Sequence, residues 1–530
     1  MKIPLKVIFV FFYPAILTFI FPYLYNDIYY KTDVIENLLF ALTILLASVL
    51  LFQQKKIIVL GLLFIVYFFG LIETMYLSLF RTYFTSSSLF IFFESNPSEI
   101  KSFLNQYSTY STGLILFSFV IVYATFAYCY IKNKIVFFNL EFKKSHKTIL
   151  LLITLFSFIN LLFSPLIISF LPRIIFSGIV NYTKEKTIYD KIKFKKSSPH
   201  FYDAKANNNT ISETYVLVIG ESTTRKHMGI YNYYRPTTPL LNSIANELLI
   251  YNDIVTPNTH TLTSLEKVLT LGNTDNIELK HKGNILQLFN QAGFSTYWIS
   301  NQKPSGIWDN FITAIANSAQ KKIFFNISDD ESNYDEVLFN SYNNILKSKD
   351  KKKLIILHLI GTHLLYKNRY PTSFKRFNNL PKSKFLNETA IQEINHYDNA
   401  ILYQDYIWHN IINLARKTNS KAAVLLFSDH GEEVYDDINF SGHTETKGTK
   451  NMYDIPFILW KSDAKNKEKN DLVFDINRKY STEDLIYSMA DLASIKFNKF
   501  DPRNSIFNKR YQSKKRMIFN NNTYDEFFKK

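Results

Sequence analysis

The sequence predicts a two-part chain. An N-terminal α-helical bundle of five membrane spans is followed by an α/β domain, with helices on both faces of a mostly parallel central sheet. Three observations carry this reading. Apolar residues crowd the first third of the 530 residues. Beyond about residue 213, short β-rich runs alternate with helical patterns. Lys and Arg in the short loops of the first third fall on one side only. The expected boundaries are a membrane domain over 1–175, a bridging segment over 176–212 and a soluble domain over 213–530.

The five apolar stretches cover 5–25, 37–52, 57–80, 112–131 and 148–171. Most approach the roughly 20 residues that span a bilayer, and the second is the shortest. The first can be mistaken for a signal peptide. It is long, contains Pro and aromatic residues and lacks a small-residue cleavage site, so it reads as a retained anchor. Lys2, Lys6, Lys55, Lys56 and the lysines of 132–147 lie on one side, which places the N-terminus in the cytoplasm and everything after Leu171 outside. The loop over 81–111 reads either as an amphipathic piece on the outer membrane face or as a plain connection.

The formal net charge is +16. About +6 falls in the part through Arg173 (13 basic, 7 acidic), which leaves about +10 for the rest. A basic domain beside a membrane suits anionic lipid surfaces. The basic residues are scattered and no nucleic-acid motif is present, so nucleic acid is not the expected partner. The one cysteine, Cys129, lies in an apolar stretch and allows no intramolecular disulfide.

In the soluble part the expected strands are 214–220, 248–255, 294–300, 353–360, 422–428 and 455–460. In open α/β sheets the active site gathers at the carboxyl ends of strands. Four of these ends carry residues with metal-ligand chemistry. They are Glu221 with Ser222; His260 with Thr261; Gly361, Thr362 and His363; and Asp429, His430 and Gly431, followed by Glu432, Glu433 and His443. Each alone has a plain structural reading, as a helix cap, a Thr-rich loop or a hydrogen-bonded histidine. Asp-His-Gly directly after an apolar strand is the sharpest, because it puts two adjacent ligands on a tight turn. Carboxylates and imidazoles converging from several strand ends suit Zn2+ or Mn2+.

Four blocks together resemble the alkaline phosphatase/sulfatase superfamily, and within it the bacterial phosphoethanolamine transferases that modify lipid A and lipopolysaccharide core. They are IGESTTRKHMGIYNYYRPTTPLL (219–241), TPNTHTLTSLEKVL (256–269), HLIGTH (358–363) and SDHGEE with GHTE (428–433, 442–445). The Tyr-x-Arg-x-Thr-x-Pro run (Tyr233, Arg235, Thr237, Pro239) is the most specific to the transferases. The resemblance implies an inner-membrane, multi-pass protein, monomeric, with a periplasmic α/β/α sulfatase-like domain. It implies Zn2+ held by Glu221, Thr261, Asp429 and His430, with a second ion or Mn2+ as alternatives. Thr261 would be the nucleophile, and His363 and His443 would serve substrate phosphate, a second metal or proton transfer. Phosphatidylethanolamine would be the donor, and lipopolysaccharide or another envelope glycan the acceptor. Ser95 and Glu99 resemble positions along the lipid path, and Lys303 with Ser305 could meet the head group. Pro257 and Lys267 stand where many lipid A-modifying members carry cysteines, so the chain looks closer to the cysteine-poor branch. A phosphoglycerol transferase and a non-catalytic envelope scaffold are the rival readings.

Overall fold

The computed structural model describes residues 4–24, 31–52, 55–80, 107–135, 144–164, 170–192, 195–207, 211–302, 311–325, 333–418, 420–444, 448–462 and 472–529, with a few positions between 84 and 104. Ser95, Glu99, Lys303 and Ser305, and most of the 81–111 loop, lie outside the described residues. The chain divides into two compact units, one of Met1–Phe93 and Phe103–Lys184 and one of Glu94–Ser102 and Glu185–Lys530.

The first unit is helical: α1 (Leu5–Leu24), α2 (Lys31–Leu51), α3 (Lys56–Phe80), α4 (Tyr110–Ile131), α5 (Lys144–Phe163) and the start of α6 (Leu171–Ile192). Among the described residues, three helices are long and apolar enough to cross a membrane: α3, α4 and Ser145–Phe163 of α5. Leu5–Ile20 and Ile35–Leu51 are shorter apolar helices, so the five-span count is not fixed by length and composition. Within the last apolar stretch α5 ends at Phe163, residues 165–169 lie outside the described residues, and α6 carries the first part of the expected bridge. Packing inside this unit uses small and polar side chains, as hydrocarbon offers no hydrophobic drive between helices. A Cβ at Gly70 of α3 would lie 2.4 Å from Pro14 Cβ of α1, so glycine sets that approach. Asn37 Nδ2 donates to Glu73 Oε1 at 2.9 Å, and Thr43 and Ser157 share a hydroxyl hydrogen bond of 2.7 Å.

The second unit holds a seven-stranded sheet. Its strands are β1 (Glu213–Gly220), β2 (Leu248–Ile250), β3 (Ser295–Ser300), β4 (Lys321–Phe324), β5 (Lys352–His358), β6 (Lys421–Ser428) and β7 (Phe457–Lys461), in the order β2–β7–β6–β1–β5–β3–β4. Alternation on the central strands explains why both faces are covered. Tyr215, Leu217 and Ile219 of β1 enter one core while Val216 and Val218 enter the other. In β5, Leu354 and Ile356 part from Ile355 and Leu357; in β6, Leu425 and Phe427 part from Val424 and Leu426. Each such side chain contributes about 1.5–3 kcal/mol by leaving water. Helix α7 (Thr261–Val268) packs Leu265 and Val268 into the first core. The 29-residue helix α8 (Glu388–Arg416) packs Ile394, Ile401, Trp408 and Ile412 into the second. Asn387 caps α8 by accepting from the Ala390 amide at 2.9 Å.

The sheet is mixed. β6, β1, β5, β3 and β4 pair in parallel, and β7 runs against both β6 and β2. The reason is local. Phe457 of β7 pairs with Phe427 of β6, so the intervening segment begins and ends at the carboxyl end of β6 and needs no crossover. The expected 248–255 strand breaks in two, with Ile254–Val255 leaving the main sheet to pair with Tyr480–Ser481. The edge strand β4 was not anticipated, because KKIF is short, half exposed and charged at its start.

Candidate metal and catalytic centre

Glu221, Thr261, Asp429 and His430 come together at the carboxyl end of the sheet. β1 delivers Glu221, β6 delivers Asp429 and His430, and α7 begins at Thr261. Thr261 Oγ1 donates to Glu221 Oε1 at 2.9 Å and lies 3.3 Å from His430 Nε2. His430 Nε2 is 3.1 Å from the same Glu221 oxygen. Helix α7 is held there by one carbonyl: Asp429 O accepts from Thr256 Oγ1 at 2.6 Å and from Ser264 Oγ at 2.7 Å. The strand end that supplies two candidate ligands therefore also seats the helix that supplies Thr261.

The loop after β1 is locked in an uncommon shape. Ser222 has φ +56°, a left-handed conformation that costs on the order of 1 kcal/mol for a residue with a Cβ. Tyr397 of α8 donates its hydroxyl to Ser222 O at 2.8 Å, and Thr362 Oγ1 donates to Glu221 O at 3.0 Å and Ser222 O at 2.9 Å. Gly361 has φ +50° and lies so close to Glu221 that a Cβ would sit 2.7 Å from its amide nitrogen. Gly431 is required for a second close approach, since a Cβ there would fall 2.0 Å from Asn451 O.

The donor set fits a divalent cation. Glu221, Asp429 and His430 are all buried, and their ligand atoms lie within 4.8 Å of one another. Asp429 Oδ1 accepts from the His430 and Ser222 amides, but buried Oδ2 has no hydrogen-bond partner. His430 Nδ1–H donates to Gly431 O at 2.9 Å, which turns Nε2 toward Glu221 and Asp429, where it would ligate an ion on giving up its proton. Burial, reinforced by the Glu221 carboxylate, pushes Asp429 up to about 8. Burial pulls the His430 imidazole down, yet Asp429 and Glu221 outweigh it and lift it to about 10. Two carboxylates this close and this dry call for positive charge, which the His430 imidazolium supplies here and a bound cation would supply in its place.

A second group adjoins the first. His430, Glu432 and His443 also place ligand atoms within 4.8 Å of one another. The His443 ring lies 4.2 Å from that of His430 and 4.7 Å from that of His260. His443 Nδ1 pairs with Glu432 Oε2 at 2.7 Å, and Tyr366 donates to Glu432 Oε1 at 2.6 Å. Burial, assisted by the His430 charge, holds His443 well below the usual imidazole range. Burial also takes His363 down to about 4, against the pull of Glu221, so both imidazoles are neutral at neutral pH.

Sequence reasoning missed several residues around this centre. Gln302 Nε2 donates to Glu221 Oε2 and to Leu359 O, both at 2.9 Å. Asp335 accepts from the Ile360 and Gly361 amides at 2.9 and 3.0 Å. On α8, Asp398 gathers His227, Tyr233 and Arg235. Buried polar residues along an otherwise apolar helix face (Asn395, Asp398, Gln404, Asp405) were the available signal.

Residues 213–495 match the Sulfatase family. The phosphoethanolamine transferase EptC of Escherichia coli K12 is 30% identical over 524 residues, covering 94% of this chain and 90% of the relative. The C-terminal periplasmic domain of EptC from Escherichia coli, solved as a zinc complex, is 33% identical with a TM-score of 0.59. That match covers 62% of this chain and 95% of the solved one. The integral membrane lipooligosaccharide phosphoethanolamine transferase A of Neisseria meningitidis has a TM-score of 0.68 over 95% of this chain and 98% of its own. At 19% identity this is a likeness of fold.

Proposed function

The chain belongs to the phosphoethanolamine transferases of the sulfatase family, and on that premise we propose that it transfers phosphoethanolamine from phosphatidylethanolamine to lipopolysaccharide (lipid A or core sugar) or another envelope acceptor, with Thr261 as nucleophile. The observation that carries the proposal is the Thr261 hydroxyl, within hydrogen-bond reach of both Glu221 and His430.

Glu221, Thr261, Asp429 and His430 would hold one Zn2+, with Mn2+ as the alternative; His430, Glu432 and His443 are the candidates for a second ion. A bound zinc supplies Lewis acidity, which lowers the Thr hydroxyl pKa and offsets charge on the phosphoryl oxygens. The protein's own part is positioning. Glu221 Oε1 accepts the Thr261 proton in a hydrogen bond and so orients the oxygen. Thr261 sits in the first turn of α7, where the positive end of the helix dipole favours a phosphoryl anion. The Thr261 oxygen attacks phosphorus, the bond from phosphorus to the diacylglycerol oxygen breaks, and diacylglycerol leaves as the alcohol. An acceptor hydroxyl or phosphate oxygen then attacks the same phosphorus, and Thr261 leaves and regains its proton. His443, with its Nδ1–H tied to Glu432, presents a bare Nε2 placed to take up the proton of the attacking hydroxyl and pass it to the leaving oxygen in one of these steps. His363 lines the same cluster as a neutral imidazole suited to the substrate phosphate.

This reading places the protein in the bacterial inner membrane as a five-pass monomer with its catalytic unit in the periplasm. Mass spectrometry of protein quenched during turnover is expected to find phosphoethanolamine on the peptide containing Thr261. An adduct on a different residue, or full activity in Thr261→Ala, would overturn the assignment.

A further inference from the structure

We infer that Gln302 is a positioning residue whose side-chain amide fixes the orientation of the Glu221 carboxylate. Both acceptors of Gln302 Nε2, Glu221 Oε2 and Leu359 O, are oxygens without a proton to give, so the NH2 group faces them and both its hydrogens are used. Glu221 Oε2 is thereby taken, and Oε1 is the oxygen left to Thr261 and His430. The carboxylate is buried, so no solvent competes for Oε2. A ligating carboxylate held in this way keeps one oxygen turned to its task, and loss of such outer partners typically weakens metal hold.

The neighbouring residue has a different duty. Asn301 Nδ2 donates to Asn333 O and Asp335 Oδ1, each at 2.9 Å, and Asp335 holds the Ile360 and Gly361 amides. Asn301 therefore braces the turn after β5 through Asp335. Gln302 grips the start of that turn and the carboxylate at once, joining the carboxyl ends of β1 and β5.

The inference rests on the metal reading of Glu221, and the test separates the two. Zn2+ affinity of the full-length protein in detergent is measured by competition with a chromophoric chelator. The proteins compared are wild type, Gln302→Ala, Gln302→Met and Asn301→Ala. Gln302→Met keeps side-chain length and removes both donors. Both Gln302 variants are expected to bind Zn2+ about 10–100-fold more weakly. At saturating Zn2+ their kcat should fall while KM for phosphatidylethanolamine stays near wild type. Asn301→Ala should lower the metal-free Tm and keep the wild-type Zn2+ affinity. Wild-type affinity in Gln302→Met overturns the inference and leaves the metal reading standing. Failure of the wild-type protein to bind Zn2+ overturns both.

Discussion

At the scale of single residues, the centre is built from charged groups that sit at the carboxyl ends of buried strands. Glu221 after β1 and Asp429–His430 after β6 stand out because charged ligands directly follow buried strands. The structure brings Glu221 and His430 within hydrogen-bond reach of Thr261. Gln302 escaped because an amide after a strand looks like any loop residue until its acceptors are known. His227 escaped for the opposite reason, as it lies inside a motif read for its family signal. Its ring is buried between Asp398 at 2.6 Å and Asp436 at 3.0 Å. Burial lowers the imidazole, but the two carboxylates outweigh it and lift it to about 10. The folded value lies above the unfolded value of about 6.5. The stabilisation is therefore complete below about pH 6.5 and is lost as pH rises toward 10. The Tm difference between wild type and His227→Asn should be largest near pH 6 and shrink by pH 9. An equal difference at both pH values would contradict a charged His227.

At the scale of elements, the most family-specific block turns out to be a clamp between segments. Tyr233 and Arg235 both donate to Asp398 Oδ2 of α8, at 3.0 and 2.7 Å, and Arg235 also reaches Asn395 and Asn379. Thr237 Oγ1 closes the segment on itself, donating to His227 O at 2.7 Å and accepting from the Gly229 amide at 2.9 Å. The same helix sends Tyr397 to Ser222 O, so the clamp and the strained loop beside Glu221 share one support. Arg235→Ala would leave Asp398 buried beside one cation fewer. It is expected to destabilise the second unit by about 3–5 kcal/mol, read from denaturant unfolding. A loss below about 1 kcal/mol would show that the motif serves something other than this packing. Strands of continuous apolar residues were legible because alternation between two cores demands them. The reversal of β7 was not, because strand direction depends on where the 429–456 segment travels and not on the composition of β7.

At the scale of the whole molecule, the division into a helical unit and a catalytic unit follows from the jump in polarity along the chain. The number of membrane crossings does not follow so directly. α1 and α2 contain apolar helices shorter than a comfortable span, and only α3, α4 and α5 qualify by length and composition among the described residues. Charge asymmetry in the loops still favours five, which would put the loop around 132–147 in the cytoplasm and the catalytic unit outside. The central claim is metal-dependent transfer from phosphatidylethanolamine through Thr261. Its most direct measurement follows diacylglycerol release from a fluorescent phosphatidylethanolamine by the full-length protein in detergent. Wild type, wild type with chelator, and Thr261→Ala are compared. Release by wild type alone, restored when Zn2+ is returned after chelation, is the expected result. Release that survives in Thr261→Ala, or consumption of phosphatidylglycerol in place of phosphatidylethanolamine, would contradict it.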